Sequence, residues 1–338
     1  MKFYSVVFIL ITACTACFHS GYAQTAIKHF IFFSRDREGI HDSAFYKHPG
    51  IAGAQITYPW KTLEPSKGEY NFKEIEEDIA FLRLHGKKLF IQVQDVTFDS
   101  TRLNIPAYLL KDPVYNGGAN AQYGFTPDGR PVKAGWVARR WDPAVAARFH
   151  LLLQQLARQF DGKIEGINLP ETSVDLPETG ELRPSGFTRA SYVAAIKQNM
   201  QVLKSSFKKS VPLLYANFMP GDSGSDSKAD LEAVYQYARQ IKLAMGGPDI
   251  KVYRPFQMIN SYPLIRDMAG IAPTGVAVQE GNYSVINPKT GKPVTLPEIM
   301  DFATSYLKLS YIFWCTEEPY YRKEVLPMLR SLSVRNTH

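Results

Sequence analysis

Length and composition restrict the class of protein. The 338 residues match one (β/α)8 barrel once a short leader is removed. Apolar residues make up 45% of the chain and charged residues 21%, a balance that is typical of a folded protein and excludes general disorder. A formal net charge of +7 is compatible with nucleic acid, an anionic membrane or an acidic polysaccharide. The densest basic cluster, residues 204–209, holds only three lysines near a predicted helix end, so we expect no nucleic-acid partner.

The N-terminus has the pattern of an export signal. A lysine precedes the apolar run 3–13, which is too short to span a membrane but suits a signal peptide. Cleavage after Ala23 would make residues 1–23 the signal peptide and 24–338 the mature domain. Alternatively, Ile-Thr-Ala-Cys ending at Cys14 is similar to a bacterial lipobox. We therefore expect an exported protein that is periplasmic, secreted or lipid-anchored at the cell envelope, with membrane attachment only through a lipidated Cys14.

Cysteine and histidine usage indicates neither a disulfide framework nor a metal site. Cys14 and Cys17 lie in or beside the leader, so the mature chain retains only Cys315. This residue ends an apolar run, which favours a buried small side chain over a nucleophile. No H-E-x-x-H spacing is present, and Gly-Gly-Pro at 246–248 lacks the spacing of a nucleotide-binding loop. We expect no metal and no organic cofactor.

Short β-branched or apolar runs alternate with longer helical patterns along the chain. This alternation predicts parallel βαβ units, and eight runs predict one α/β domain folded as a (β/α)8 TIM barrel. The sixth run is the weakest of the set. The predicted strands are 28–33, 53–58, 88–94, 164–169, 212–218, 242–246, 275–279 and 310–315.

Helix starts support this alternation. Asn71 with Glu74, and Thr295 with Glu298, have the spacing of capping boxes. Asp142 precedes a proline, which predicts a cap followed by proline in the first turn. These residues therefore mark three helix entrances.

A family resemblance begins after the second predicted strand. Residues 60–65 read Trp-Lys-Thr-Leu-Glu-Pro, residues 68–72 read Gly-Glu-Tyr-Asn-Phe, and Gly-Lys at 86–87 precedes the third strand. This pattern resembles clan A retaining glycoside hydrolases, whose second barrel strand commonly ends in W-x-x-L-E-P-x-x-G-x-Y-x-F. Further similarity at 105–109 and 141–143 extends the resemblance over most of the mature chain. It implies a glycosidase barrel in which Trp60 lines the sugar site.

Two acidic residues fit the chemistry that the resemblance implies. Glycoside hydrolysis commonly uses two carboxyl groups, and in barrel enzymes these project from the carboxyl ends of strands. Glu171 follows the fourth predicted strand and Glu280 follows the seventh. The resemblance assigns Glu171 as acid/base and Glu280 as nucleophile of a retaining double displacement on a β-linked poly- or oligosaccharide.

The chain departs from the family around Glu171. In the family the strand-four acid commonly follows directly after an asparagine that binds the sugar 2-hydroxyl, whereas Leu169 and Pro170 separate Asn168 from Glu171. This departure keeps open an alternative, a noncatalytic carbohydrate-binding TIM-barrel protein. Glu317, with the glutamate that follows it, competes as a catalytic carboxylate or caps the next helix.

Further residues near predicted strand ends are candidates for substrate binding. The resemblance implies an aromatic platform at Trp314, although a barrel-wall tryptophan is nearly as consistent with its apolar neighbours. The complete set of binding candidates is Trp60, Gln94, Arg140, Asn168, Asn217, Asp249 and Trp314.

Overall fold

A computed structural model describes residues 26–221 and 225–335, so the predicted leader, with its alternative cleavage sites, lies outside the described residues. Eight parallel strands close into a barrel in the order β1-β11-β10-β9-β8-β7-β3-β2, which confirms the predicted (β/α)8 fold, including its sixth strand. The remaining three strands form a separate antiparallel sheet. In chain order the strands are β1 Lys28–Ser34, β2 Gly53–Pro59, β3 Lys88–Gln94, β4 Val96–Thr97, β5 Ala119–Phe125, β6 Pro131–Ala138, β7 Gly166–Leu169, β8 Val211–Tyr215, β9 Ala244–Gly247, β10 Thr274–Val278 and β11 Tyr311–Cys315.

Helices surround the barrel. No helix within the described ranges is long and apolar enough to cross a membrane. Three short 3-10 helices cover Arg37–His41, Pro113–Tyr115 and Asn282–Ser284, and π-helical turns cover Phe302–Tyr306 and Tyr321–Val325. The α-helices are α1 Ser43–Tyr46, α2 Trp60–Leu63, α3 Lys73–Leu84, α4 Ala107–Lys111, α5 Pro143–Phe160, α6 Arg189–Ser206, α7 Ser225–Ile241, α8 Pro255–Ile259, α9 Ser261–Arg266, α10 Leu296–Asp301 and α11 Leu326–Arg335.

Two of the three predicted helix starts are confirmed. Thr295 caps α10 in a reciprocal capping box, and Asp142 accepts hydrogen bonds from two backbone amides at the start of α5. The box predicted at Asn71 is wrong, because α3 begins two residues later. The Asn71 side chain accepts instead from the Lys73 backbone amide at 3.2 Å, and the Glu74 carboxylate lies 3.4 Å from the Arg37 guanidinium.

Alternation along the strands divides the apolar residues between two cores. On β11, Tyr311 and Phe313 point into the barrel, whereas Ile312 and Trp314 pack towards the helices. Cys315 is buried, as predicted.

A polar layer lies above the aromatic core of the barrel. Phe90 belongs to the inner apolar cluster, and Gln92, the next inward position of β3, donates a 2.8 Å hydrogen bond to Asn168. The Thr57 hydroxyl group donates to the side-chain oxygen Oε1 of Gln92 at 2.8 Å. The barrel interior therefore changes from apolar to polar towards the carboxyl ends of its strands, where barrel enzymes place their chemistry.

The long connection between β3 and α5 folds as the small sheet β4-β6-β5. Gln122 of β5 donates to the Thr97 carbonyl oxygen at 2.7 Å and accepts from the Asp175 backbone amide at 2.8 Å. The sheet thus connects the loop after β3 to the loop after β7, which carries Glu171.

Candidate active site

Glu171 lies on the loop that follows β7, at the carboxyl-end mouth of the barrel. The next residue, Thr172, fixes this loop on β8, because its backbone amide donates to the Tyr215 carbonyl oxygen at 3.1 Å. Its hydroxyl group donates to the Phe218 carbonyl oxygen at 2.6 Å. The loop that begins at Pro170 therefore holds Glu171 against the loop that carries Asn217.

The carboxyl group of Glu171 has an unusual protonation equilibrium. Burial, reinforced by the negative charge of Asp249, raises its pKa to about 7. A 2.6 Å hydrogen bond from the Asn217 amide opposes this rise, as do the positive charges of Arg140 and Lys251. At neutral pH the group is populated in both protonation states, which is the property required of a side chain that donates and then accepts a proton.

Arg140 fixes the backbone of this loop from beneath. It makes a buried bidentate ion pair with Asp95, at 2.8 and 2.7 Å, and donates to the Glu171 carbonyl oxygen at 3.1 Å. Burial by itself would lower the pKa of Arg140, but Asp95 and the Tyr192 hydroxyl group outweigh burial and raise it. Arg140 therefore stays charged and positions Glu171, so the structure places this binding candidate under the site.

Asp249 lies on the loop after β9 and is hydrogen-bonded to Asn282 in the turn after β10. One carboxylate oxygen accepts from Lys251 at 3.0 Å and the other accepts from the Asn282 amide at 2.9 Å. Asn282 also accepts from the Gln279 backbone amide at 3.2 Å. Asn282 thus joins Asp249 to the turn that carries Glu280.

Glu280 is exposed at the end of β10 and lines a cleft of about 560 Å³. Gly281 follows it with a left-handed φ of +79°, and the Gly281 backbone amide donates to Glu317 at 3.0 Å. Glu317, a competing carboxylate in the sequence, therefore braces the turn beside Glu280. The cleft is also lined by Phe32, Phe33, Ser34, Arg35, Asp36, Gln94, Thr97, Phe98, Asp99, Arg102, Gln279, Cys315 and Thr316.

Three of the binding candidates have no accessible side-chain surface. Trp60 is fully buried, contacts Phe149 at a ring distance of 5.0 Å and donates to Glu64 at 2.9 Å. Trp314 is fully buried among the helix-facing residues, and Asn168 is fully buried inside the barrel. Sugar contacts by these three side chains stay predictions, and their burial disfavours them.

Asn217 and Asp249 lie near the Glu171 carboxyl group. Gln94 and Glu280 line the cleft, whose lining residues do not include Glu171. Our interpretation of the sequence missed Lys251 and Asn282. Lys251 follows the candidate Asp249 by two positions, and Asn282 follows the candidate Glu280 by two positions. Extending each strand-end motif by two residues would have found them.

In the described part of the chain, no group of three or more His, Cys, Asp or Glu side chains is suited to hold a metal ion.

Comparison with known proteins identifies the fold. No family model and no curated protein matches the sequence. The catalytic domain of β-amylase from Paenibacillus polymyxa aligns with a TM-score of 0.54 at 9% identity, covering 85% of this chain and 92% of that chain. Xylanase 10B from Thermotoga petrophila RKU-1, solved with xylobiose, has a TM-score of 0.48 at 9% identity, covering 86% and 82%. At 9% identity, the β-amylase match shows that the two chains share the barrel fold.

Proposed function

We propose that this protein is a glycoside hydrolase that cleaves a β-linked poly- or oligosaccharide by retaining double displacement. Glu171 acts as acid/base and Glu280 as nucleophile. The observation that carries the proposal is the partly buried Glu171 carboxyl group at the barrel mouth, whose pKa is raised to about 7. A noncatalytic sugar-binding barrel has no need for a carboxyl group that exchanges its proton at neutral pH, so this observation favours catalysis.

The first half of the reaction breaks the glycosidic bond. Protonated Glu171 transfers its proton to the leaving oxygen while the Glu280 carboxylate attacks the anomeric carbon. The electron pair of the broken bond passes to the leaving oxygen, and a covalent glycosyl ester forms on Glu280. Exposure of Glu280 in the cleft supports this role, since a nucleophile must reach the sugar.

The second half releases the sugar. Ionised Glu171 removes a proton from water, the water oxygen attacks the anomeric carbon, and the bond to Glu280 breaks. Glu171 is then protonated again. The Asn217 hydrogen bond and the Arg140 contact to its carbonyl oxygen support this double use, because they fix the group without neutralising it through a direct ion pair.

A digestion screen tests the proposal. Wild-type protein is incubated with a broad set of polysaccharides and oligosaccharides, and the products are separated by length. We expect shorter products from at least one substrate, and far less of them from Glu171→Gln or Glu280→Gln in the same incubation time. Unchanged lengths for every substrate, together with measurable sugar binding, would instead support the noncatalytic alternative.

We also propose that the chain is exported, on the strength of the apolar segment near its N-terminus. Mass spectrometry of protein expressed in bacteria distinguishes the two cleavage sites. Cleavage after Ala23 leaves an unmodified chain, whereas cleavage before Cys14 leaves a lipid-modified cysteine that Cys14→Ser abolishes. A full-length cytoplasmic product would contradict export.

A further inference from the structure

We propose that the cleft beside Glu280 binds a carboxylate-bearing sugar, a uronic acid unit, through Arg35 and Arg102. This inference rests on the proposed function and names the substrate class of the same site. It would make the substrate an acidic saccharide. Both arginines line the cleft together with Glu280.

Arg35 is a positioned cation. It directly follows β1, and its terminal nitrogen donates to the Asn104 side-chain oxygen at 3.0 Å. Asn104 is only 1% exposed and is itself fixed by a 2.8 Å hydrogen bond to the Val96 carbonyl oxygen. Within the described ranges, this neutral amide is the side chain to which Arg35 hydrogen-bonds, so the Arg35 charge lacks a direct carboxylate partner.

Arg102 places a second guanidinium group near Arg35. Burial lowers the pKa of Arg35, and the positive charge of Arg102 lowers it further, while Asp99 opposes both. The one carboxylate of Asp99 lies near both guanidinium groups, so a net positive charge and mutual repulsion of the two cations remain. A bound carboxylate would relieve this repulsion and accept charge-assisted hydrogen bonds from the planar guanidinium groups.

The nearby Asp99 does not take the place of that anion. One of its oxygens accepts from the Thr101 backbone amide at 2.9 Å and from the Thr101 hydroxyl group at 2.6 Å. Its other oxygen lies 2.9 Å from Nε of Arg102. Among the described residues, the terminal nitrogens of Arg102 make no hydrogen bond, so they stay available to a ligand.

The remaining lining residues restrict where a carboxylate fits. Asp36 and Glu280 are negatively charged and exposed in the same cleft, so they repel an anion placed away from the arginines. Phe98 is 51% exposed and offers a ring face to the C–H groups of a sugar. The cleft therefore selects both the charge of the sugar and the position of that charge.

Binding of matched sugars tests this proposal. Oligomers of glucuronic, galacturonic and mannuronic acid are compared with their carboxyl-reduced, neutral counterparts by calorimetry, using wild type and the Glu171→Gln variant. We expect at least one acidic oligomer to bind about tenfold more tightly than its neutral counterpart. The preference should shrink between low and high salt, because exposed charges are screened.

Variants assign the preference to the arginines. Arg35→Gln should remove it without weakening binding of the neutral oligomer, and Arg35→Lys should retain part of it. Arg83→Gln, which removes an exposed charge from the last turn of α3, should leave it intact. The proposal would be overturned if none of the three acidic oligomers bound more tightly than its neutral counterpart. It would also be overturned if the preference for the acidic oligomer survived in Arg35→Gln.

The test separates this inference from the proposed function. A protein that cleaves neutral oligosaccharides without preferring acidic ones remains a hydrolase and has no acidic-sugar site. Arg35-dependent binding without any cleavage would support the site and contradict hydrolysis.

Discussion

Two glutamates on either side of β7 show how the ends of one barrel differ. Glu165 directly precedes the strand, at its amino end. It lies 2.6 Å from Lys28 and 3.1 Å from Lys88, and accepts a 2.9 Å hydrogen bond from Tyr311. Burial alone would raise the pKa of Glu165, but these partners outweigh burial and lower it. This carboxylate stays ionised and joins three strands.

Glu171, at the carboxyl end, has a neutral amide as its side-chain hydrogen-bond donor instead of two cations. Burial and Asp249 therefore raise its pKa to about 7. The same residue type is thus a structural anion at one end and a proton-exchanging group at the other. The difference lies in the partners, and it follows the division between a stabilising amino end and a reactive carboxyl end that is typical of this fold.

Replacement of Glu171 should have the largest effect. Glu171→Gln keeps the shape but cannot exchange a proton, so we expect kcat/KM to fall by about 10³-fold on whichever sugar the wild type cleaves. Glu165→Gln is the matched control at the opposite end of β7 and should change kcat/KM by less than about threefold. Equal losses in the two variants would mean that the ends do not differ as proposed.

Glu280→Gln should have the second-largest effect. We expect kcat/KM to fall by at least about 10²-fold, because an amide is a poor nucleophile. Glu317→Gln is the control in the same turn, and we expect a much smaller loss because Glu317 contacts only the Gly281 backbone among the loop residues described above. Steady-state kinetics distinguishes the two. A larger loss of kcat/KM in Glu317→Gln than in Glu280→Gln would indicate that Glu317 is the nucleophile.

Much of the fold was predictable because strands and caps are local patterns. All eight barrel strands were predicted, since each is a short apolar run between helical segments, and Thr295 capped its helix as expected. In place of the box at Asn71, Asn71 accepts from the Lys73 backbone amide and Glu74 pairs with Arg37, which is distant in sequence. A local sequence pattern does not show a contact with a residue that is distant in sequence.

The site was less predictable than the fold for the same reason. The strand-end rule selected Glu171, Asn217 and Asp249, which the structure brings together. It did not show that Trp314 points towards the helices, because an apolar run alone does not set which alternate residues face inwards. Nor did it show that Arg140 would be engaged by Asp95 beneath the site.

Replacement of Glu165 should affect stability more than activity. Glu165→Gln leaves Lys28 and Lys88 without their shared carboxylate, so we expect a loss of roughly 2 kcal/mol in the free energy of unfolding at pH 7. The lysines are half exposed or more, which limits the effect through solvent screening. Urea denaturation measures it.

The pH dependence of the stability difference between wild type and Glu165→Gln tests whether the lost charge of Glu165 causes it. Because the pKa of Glu165 is lowered in the folded protein, its contribution is present above the unfolded-state pKa and is lost as pH falls through the folded-state pKa. Wild type and Glu165→Gln should therefore converge in acid. A stability difference that persists unchanged in acid would indicate lost packing and not lost charge.

The smallest effect should be a shift of the pH profile. Asp249 raises the pKa of Glu171 and Lys251 lowers it, so Asp249→Asn should move the alkaline limb of kcat/KM to lower pH, and Lys251→Gln should move it to higher pH. We expect each shift to be about half a pH unit, since both groups are partly exposed and screened. The alkaline limb reports the acid of the free enzyme. Opposite shifts would identify Glu171 as that acid, whereas shifts in the same direction would mean that another group donates the proton.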